Sequence, residues 1–277
     1  MNIDAIDAAG TNSLDISSMR TVCLTAATCE ILYALDAGDT IVGRGKYCDY
    51  PEEVFTIPAV NSGENTNIEQ IISLSPDVVF MSLMAQSAEQ VATLEDLGFT
   101  VIVTDAHTIE ETYASIELIG SAIGKEKQAA EVVQKMQKTF QDISEQAEEN
   151  IARGKTIYFE ISPLEWGLWA AGKDTFMDEL AEMMGVTNIF HEVSGWAKIS
   201  QEQVLARNPD YIITITMYYG EGQHSEEEIA SRAGWSDITA VQNRDIFYMS
   251  SDELSRPGPR LAEAAKDLYA FIYASQE

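Results

Sequence analysis

From Arg20 onward, short apolar runs alternate with stretches in which apolar residues recur every three or four positions. Residues 21–24 read as a strand; residues 28–35 carry Ile31, Leu32 and Leu35 at helical spacing; residues 41–43 return to strand. The rhythm continues through a helix at 68–74, a strand at 78–81, a helix at 89–97 closed by Gly98 and a strand at 100–103. Such alternation predicts parallel strands joined by crossover helices.

The middle of the chain changes period. Thr108 and Glu111 have capping-box spacing, and Ile109, Tyr113, Ile116, Ile119 and Ile123 form a helical stripe ending at Gly124. A second stripe, Val132, Val133, Met136, Phe140, Ile143, Ala147 and Ile151, runs to Gly154. At 1.5 Å per residue this is a helix about 40 Å long, long enough for a strut between two lobes. The α/β rhythm then restarts, with strands at 156–161, 212–216 and 246–248 and helices at 175–184, 199–206 and 259–274. The expected organisation is a flexible segment 1–19, an α/β lobe 20–124, an interdomain helix 125–154 and a second α/β lobe 155–277. No low-complexity linker separates the lobes.

One phrase occurs in both halves. Residues 69–79 begin Glu69-Gln70 and reach Pro76-Asp77, and residues 202–212 repeat Glu202-Gln203 and Pro209-Asp210 in the same register. Each copy predicts a short helix opened by a glutamate, stopped by proline and followed by a buried strand. The spacing is compatible with an ordinary α/β joint. It is equally what a two-lobed molecule needs in order to be gripped by a dimeric partner, one glutamate per lobe.

Composition narrows the partners. The chain has 277 residues, 45% apolar, enough for a core in each of two lobes. Its 17 Lys and Arg against 45 Asp and Glu give a formal charge of −28, which repels nucleic acid and anionic lipid. No apolar run reaches the roughly 20 residues of a membrane span. The polar start of the chain is unlike a secretory signal, so the protein is cytosolic or its signal is absent from this sequence. Cys23, Cys29 and Cys48 lack metal-type spacing and read as buried thiols, with a Cys29–Cys48 bridge as the alternative.

Catalytic signatures are missing: no Gly-x-Ser-x-Gly elbow, no His-Glu-x-x-His, no complete phosphate loop. His107, His191 and His224 lie far apart and suggest surface or structural roles, and no metal site is indicated. The loops carry aromatic residues instead: Tyr47 and Tyr50, Trp166 and Trp169, Trp196, Tyr218 and Tyr219. Rings at strand ends line the ligand clefts of open α/β sheets. Tyr50, Trp166 and Trp235 are expected to plug loops onto their own lobe. Residues 251–260 combine Asp252 and Arg256 with prolines and a glycine, giving a fixed polar loop or a surface ion pair.

These residues resemble the extracytoplasmic solute-binding proteins of ABC importers for iron complexes and corrinoids, and among them the cobalamin binders. The likeness runs from about Arg20 to the C-terminus through Ala27-Thr28-Cys29-Glu30-Ile31-Leu32, Asp49-Tyr50-Pro51, Asn67-Ile68-Glu69, Ala171-Gly172-Lys173, Ser200-Gln201-Glu202 and Arg256-Pro257-Gly258-Pro259-Arg260. It implies two Rossmann-like lobes joined by a rigid interdomain helix, with the ligand cleft between them. Carried over residue by residue, ligand contacts fall on Tyr47, Trp169, Trp196, Asp252 and Arg256, and permease-docking carboxylates on Glu69 and Glu202. No catalytic residue, metal or resident cofactor is implied. The ligand would be a cobalt corrinoid, and the partners that ligand and a permease dimer that meets the glutamates with arginines; the chain itself would be a monomer. The implied location is periplasmic or lipid-anchored at the cell surface.

The chain departs from the similar cobalamin binders at Gly63 and Ser82, where they carry tryptophans. A ferric siderophore is the alternative ligand, for which Arg44, Lys46, Lys198, Arg256 and Arg260 could supply charge. Haem is disfavoured by Asn67-Ile68-Glu69-Gln70. An enzyme or metallocluster-assembly protein on the same frame would need a nucleophile, metal triad or nucleotide loop.

Overall fold

A computed structural model describes residues 19–83, 85–150, 154–215 and 226–274. The expected flexibility of the N-terminal segment, the stripe residue Ile151, the strand end at Thr216, and Tyr218, Tyr219 and His224 fall outside the described residues. The chain divides into two compact units, one of the described residues up to Thr104 with Leu118–Ala129, the other of Asp105–Glu117 with the described residues from Ala130 onward.

The first unit holds β1 (Thr21–Cys23), α1 (Ala26–Ala34), β2 (Ile41–Gly45), β3 (Ala59–Val60), α2 (Ile68–Leu74), β4 (Val78–Met81), α3 (Ala88–Asp96) and β5 (Thr100–Val103). Its strands lie in the order β3-β2-β1-β4-β5, and every pairing is parallel. This is a Rossmann-like order, the outcome of right-handed crossovers spreading both ways from β1. The central strands read as unbroken apolar runs because helices cover the sheet: Val22, Val79, Met81, Ile71 and Leu94 are buried together. At Gly45 a side chain would collide with the Leu24 carbonyl, so glycine lets β2 end close against the chain leaving β1.

Helix α4 (Ile109–Ala122) begins in the second unit and ends in the first, and α5 (Glu126–Asn150) begins in the first and continues in the second. The capping box forms as its spacing suggests, with Thr108 Oγ1 accepting from Glu111 N at 3.1 Å and Glu111 Oε2 accepting from Thr108 N at 3.3 Å.

The second unit adds β6 (Thr156–Glu160), β7 (Trp169–Ala171), α6 (Phe176–Met183), β8 (Thr187–Asn188), β9 (Trp196–Lys198), α7 (Gln201–Arg207), β10 (Tyr211–Thr214), α8 (Glu226–Ser231), α9 (Thr239–Asn243), β11 (Ile246–Tyr248), α10 (Ser251–Ser255) and α11 (Leu261–Ala274). The sheet order is β11-β10-β6-β7-β9, with β8 also on β6. Here the all-parallel expectation needs correction: β7 is antiparallel to both β6 and β9. Two strands of three residues are too short to show a period, and only their pairing reveals them. Tyr158, Leu168, Phe190, Trp235 and Ile246 are the heart of this core.

The cysteines also depart from expectation. Cys23 and Cys29 form a disulfide instead of remaining thiols, and the alternative Cys29–Cys48 bridge is not made. Cys23 ends β1 and Cys29 sits one turn into α1, so the tight strand-to-helix turn brings their Cα atoms to 5.7 Å, within bridging range. Cys48 is buried beside them.

Candidate functional site

In the first unit all five strands end on one edge, so the loops there are assembled by topology alone. Tyr47, just past β2, is 57% exposed, and the Lys46 ammonium lies 4.6 Å from its ring centroid. Leu83, just past β4, is also exposed on that edge. A threonine chain completes it: Thr25 Oγ1 donates to Thr28 Oγ1 at 2.8 Å, and Thr28 and Thr104 hydroxyls lie 3.5 Å apart. Gln86 accepts from Ser82 N at 2.9 Å, and its buried Nε2 has no partner.

In the second unit the unforeseen ribbon creates the site. Trp169 pairs with Lys198, and Ala171 with Trp196. Residues two apart on a strand share a face, as do residues directly opposite, so Trp169, Ala171, Trp196 and Lys198 all project from one side. The two indoles are therefore diagonal neighbours, with Ala171 opposite Trp196 and Lys198 opposite Trp169. Ala170 and Ala197 occupy the opposite face, where Ala170 enters the core. Trp169 is 39% exposed. Trp196 is half-buried, held edge-on by Phe176 at 5.6 Å between centroids, and its indole N–H is buried without an acceptor.

Of the three rings expected to plug their loops, one does so. Trp235 is fully buried, as a loop plug should be, and its N–H donates to Gln201 Oε1 at 3.1 Å. Tyr50 and Trp166 are exposed instead of plugging their loops. The reason for Trp166 is local: it ends a single helical turn between β6 and β7, and its Nε1 donates to Glu165 Oε1 at 2.8 Å. Tyr248, closing β11, is exposed as well; no sequence signal separated it from a core strand residue.

The polar segment 251–260 begins as the short helix α10, not as a fixed loop. Asp252 and Arg256 meet at 2.8 Å, one helical turn apart, and Arg260 meets Glu253 at 2.7 Å. The ion-pair alternative for Asp252 and Arg256 is the arrangement found.

The repeated phrase has the same anatomy in both units. Asn67 caps α2 and Ser200 caps α7; Glu69 and Glu202 are the second residue of each helix; left-handed Ser75 and Asn208 end them before proline. The prolines terminate the helices, and the aspartates staple the following strand to its central neighbour. Asp77 accepts from Arg20 N at 2.8 Å, and Asp210 accepts from Thr156 N at 2.9 Å and from Lys155 Nζ at 2.8 Å. The glutamines work inside the fold too: Gln203 completes a capping box, whereas Gln70 accepts from Asn61 N. Glu69 and Glu202 are both exposed. Because α2 and α7 lead back to the starts of β4 and β10, their N-termini lie on the same sheet edge as the rings of their own unit. A Ser200 hydrogen bond holds the Glu202 carboxyl below the usual carboxylate range.

Beneath the second unit's edge lies a buried charge network. Arg232 donates to both oxygens of Glu160, the last residue of β6, at 2.6 and 2.9 Å and to Glu228 at 3.0 and 2.8 Å. Burial pushes the guanidinium pKa down, and the carboxylates outweigh it and hold it above its ordinary value.

The family described as "Periplasmic binding protein" matches residues 21–253. An ABC transporter substrate-binding lipoprotein of Bacillus subtilis is 36% identical over 259 residues, 92% of this chain and 80% of the relative. A vitamin B12-binding protein of Vibrio cholerae is 27% identical over 263 residues, 93% of this chain and 90% of the relative. A solved structure from Staphylococcus epidermidis, titled a possible iron-binding, periplasmic solute-binding protein, superposes with a TM-score of 0.79 at 32% identity, covering 92% of this chain and 98% of the other.

Proposed function

Since the chain belongs to the periplasmic binding protein family, we propose that it captures a corrinoid outside the cytoplasmic membrane and hands it to an ABC importer. As a substrate-binding protein of an ABC transporter of the B12, haem or iron-complex type, it is not an enzyme. The observation that carries the corrinoid reading is the ribbon face of Trp169 and Trp196, with Tyr47 exposed on the ligand edge of the other unit. Large flat rings suit a large, partly apolar macrocycle, and burying each against it contributes a few kcal/mol at most. The unpartnered indole N–H of Trp196 is a donor for an amide oxygen, the group that fringes a corrin ring.

The cation inventory argues against an anionic ferric chelate. Of the five basic candidates, Arg44 is buried, donating to the Gly45 and Cys48 carbonyls at 3.3 and 3.0 Å, and Arg256 and Arg260 are neutralised by Asp252 and Glu253. Lys46 and Lys198 remain exposed. The likeness to a possible iron-binding protein keeps the chelate as the second reading.

Glu69 and Glu202, one per unit, are the contacts we assign to the two permease subunits. Incubation with cobalamin, cobinamide, haem and a ferric hydroxamate, followed by desalting, tests the ligand reading. Corrin bands should remain with the protein, and Trp169→Ala should weaken binding at least tenfold by calorimetry. Retention of only the ferric complex, or unchanged affinity in Trp169→Ala, removes the corrinoid site.

A further inference from the structure

Three residues that no motif connects come together in the second unit. Asp178 and Glu182 lie one turn apart on α6, and His191 follows β8. His191 Nδ1 is 2.8 Å from Asp178 Oδ2 and 3.8 Å from Glu182 Oε1, and the three ligating atoms all lie within 4.8 Å of one another. We propose that Asp178, Glu182 and His191 form a binding site for a borderline divalent cation of the Zn2+ class, with its remaining coordination positions open to solvent.

Two features distinguish this group from an incidental surface pair. The first is the support behind Asp178, whose side chain is 5% exposed. Asn188 Nδ2 donates to Asp178 Oδ1 at 2.8 Å and to the Ala171 carbonyl at 2.8 Å, and Asn188 Oδ1 accepts from Phe190 N at 3.1 Å. An amide held at both ends thus fixes one carboxylate oxygen and aims the other outward, the role that outer hydrogen bonds play around metal ligands. The second is the pairing of like charges: two carboxylates at i and i+4 repel unless a cation lies between them. A protonated His191 meets part of that need, and a divalent ion bound at its deprotonated nitrogen meets more of it. Lys173 is near enough to act on the imidazole and opposes a cation, but one ammonium faces two carboxylates.

The dimensions fit. Bonds of about 2.1 Å at tetrahedral angles separate ligand atoms by about 3.4 Å, between the 2.8 and 3.8 Å found. Exposed Glu182 closes the wider gap by a small side-chain rotation, whereas buried Asp178 need not move. The imidazole nitrogen selects Zn2+, Co2+ or Ni2+ over Ca2+ and Mg2+, which prefer oxygen alone.

A chain of charge −28 also attracts cations diffusely, so the test must separate site from surface. EDTA-stripped full chain is titrated with Zn2+ by calorimetry in excess Ca2+, which occupies the surface carboxylates. One Zn2+ per chain is expected, weakened at least 100-fold by His191→Ala and about tenfold by Glu182→Gln. Co2+ should give the visible absorption of a tetrahedral site, and His191→Ala should abolish it. If His191→Ala fails to fold, the exposed Glu182→Gln variant still decides the question. Absence of stoichiometric Zn2+ binding in Ca2+, or binding that neither variant changes, overturns the site.

Discussion

Replacing Arg232 by methionine keeps the length of the stem and removes the charge that Glu160 faces. Both side chains are almost sealed from solvent, at 2% and 1% exposure, so water cannot substitute for the lost guanidinium. Leaving one member of a buried pair alone costs about 3–5 kcal/mol. Arg232 also lies 4.5 Å from the Trp235 ring centroid, a cation–π contact whose loss adds about 1–2 kcal/mol in a desolvated site. Glu228, half-exposed, can turn to solvent and adds little. With a urea slope of about 2 kcal/mol/M, a loss of about 4–7 kcal/mol should lower the midpoint by roughly 2–3.5 M. The double variant Arg232→Met with Glu160→Leu removes the uncompensated charge, and apolar replacement of a buried pair is often neutral or stabilising. It should regain most of the loss and keep its ligand affinity, because the pairing of Glu160 with Ala170 of the ribbon is a strand pairing of the backbone, which both substitutions leave in place. Urea unfolding followed by tryptophan fluorescence and far-UV circular dichroism reads both. A single variant within 1 kcal/mol of the native chain, or a double variant less stable than the single, would refute the reasoning.

Charge reversal at both outward glutamates, Glu69→Arg with Glu202→Arg, should leave ligand affinity intact and abolish stimulation of the transporter's ATPase in proteoliposomes, since each attractive contact becomes repulsive. Full stimulation by that variant removes the docking role. Asp210→Asn should cost about 1.5–3 kcal/mol at pH 7, the worth of hydrogen bonds to a charged group. Burial raises the Asp210 pKa, but the Lys155 and Thr156 hydrogen bonds outweigh it and hold the carboxyl below its ordinary value. A lowered folded pKa means stability that is present above about pH 4 and lost as pH falls through the folded value. The gap between native and variant urea midpoints should therefore narrow on acidification, and a gap that does not narrow at all between pH 7 and pH 3 contradicts the ionic staple.

Much of this protein is local and could be read directly. Central strands such as residues 78–81 are unbroken apolar runs because helices cover them on both faces, and Gly98, Gly124 and Gly185 end their helices where left-handed backbone is needed. The Glu69 and Glu202 register was legible because helix start, proline stop and strand follow one another without a gap. Tertiary structure decided whatever depended on partners distant in sequence. It made β7 and β9 a ribbon, which put Trp169 and Trp196 on one face; it exposed Trp166 and Tyr248; it joined Cys23 to Cys29; and it brought His191 to Asp178. Spacing along a chain sets which faces residues share within one helix or strand. Which faces meet is set by packing across the whole unit, and there Trp169, Trp196, Asp178 and His191 acquired their neighbours.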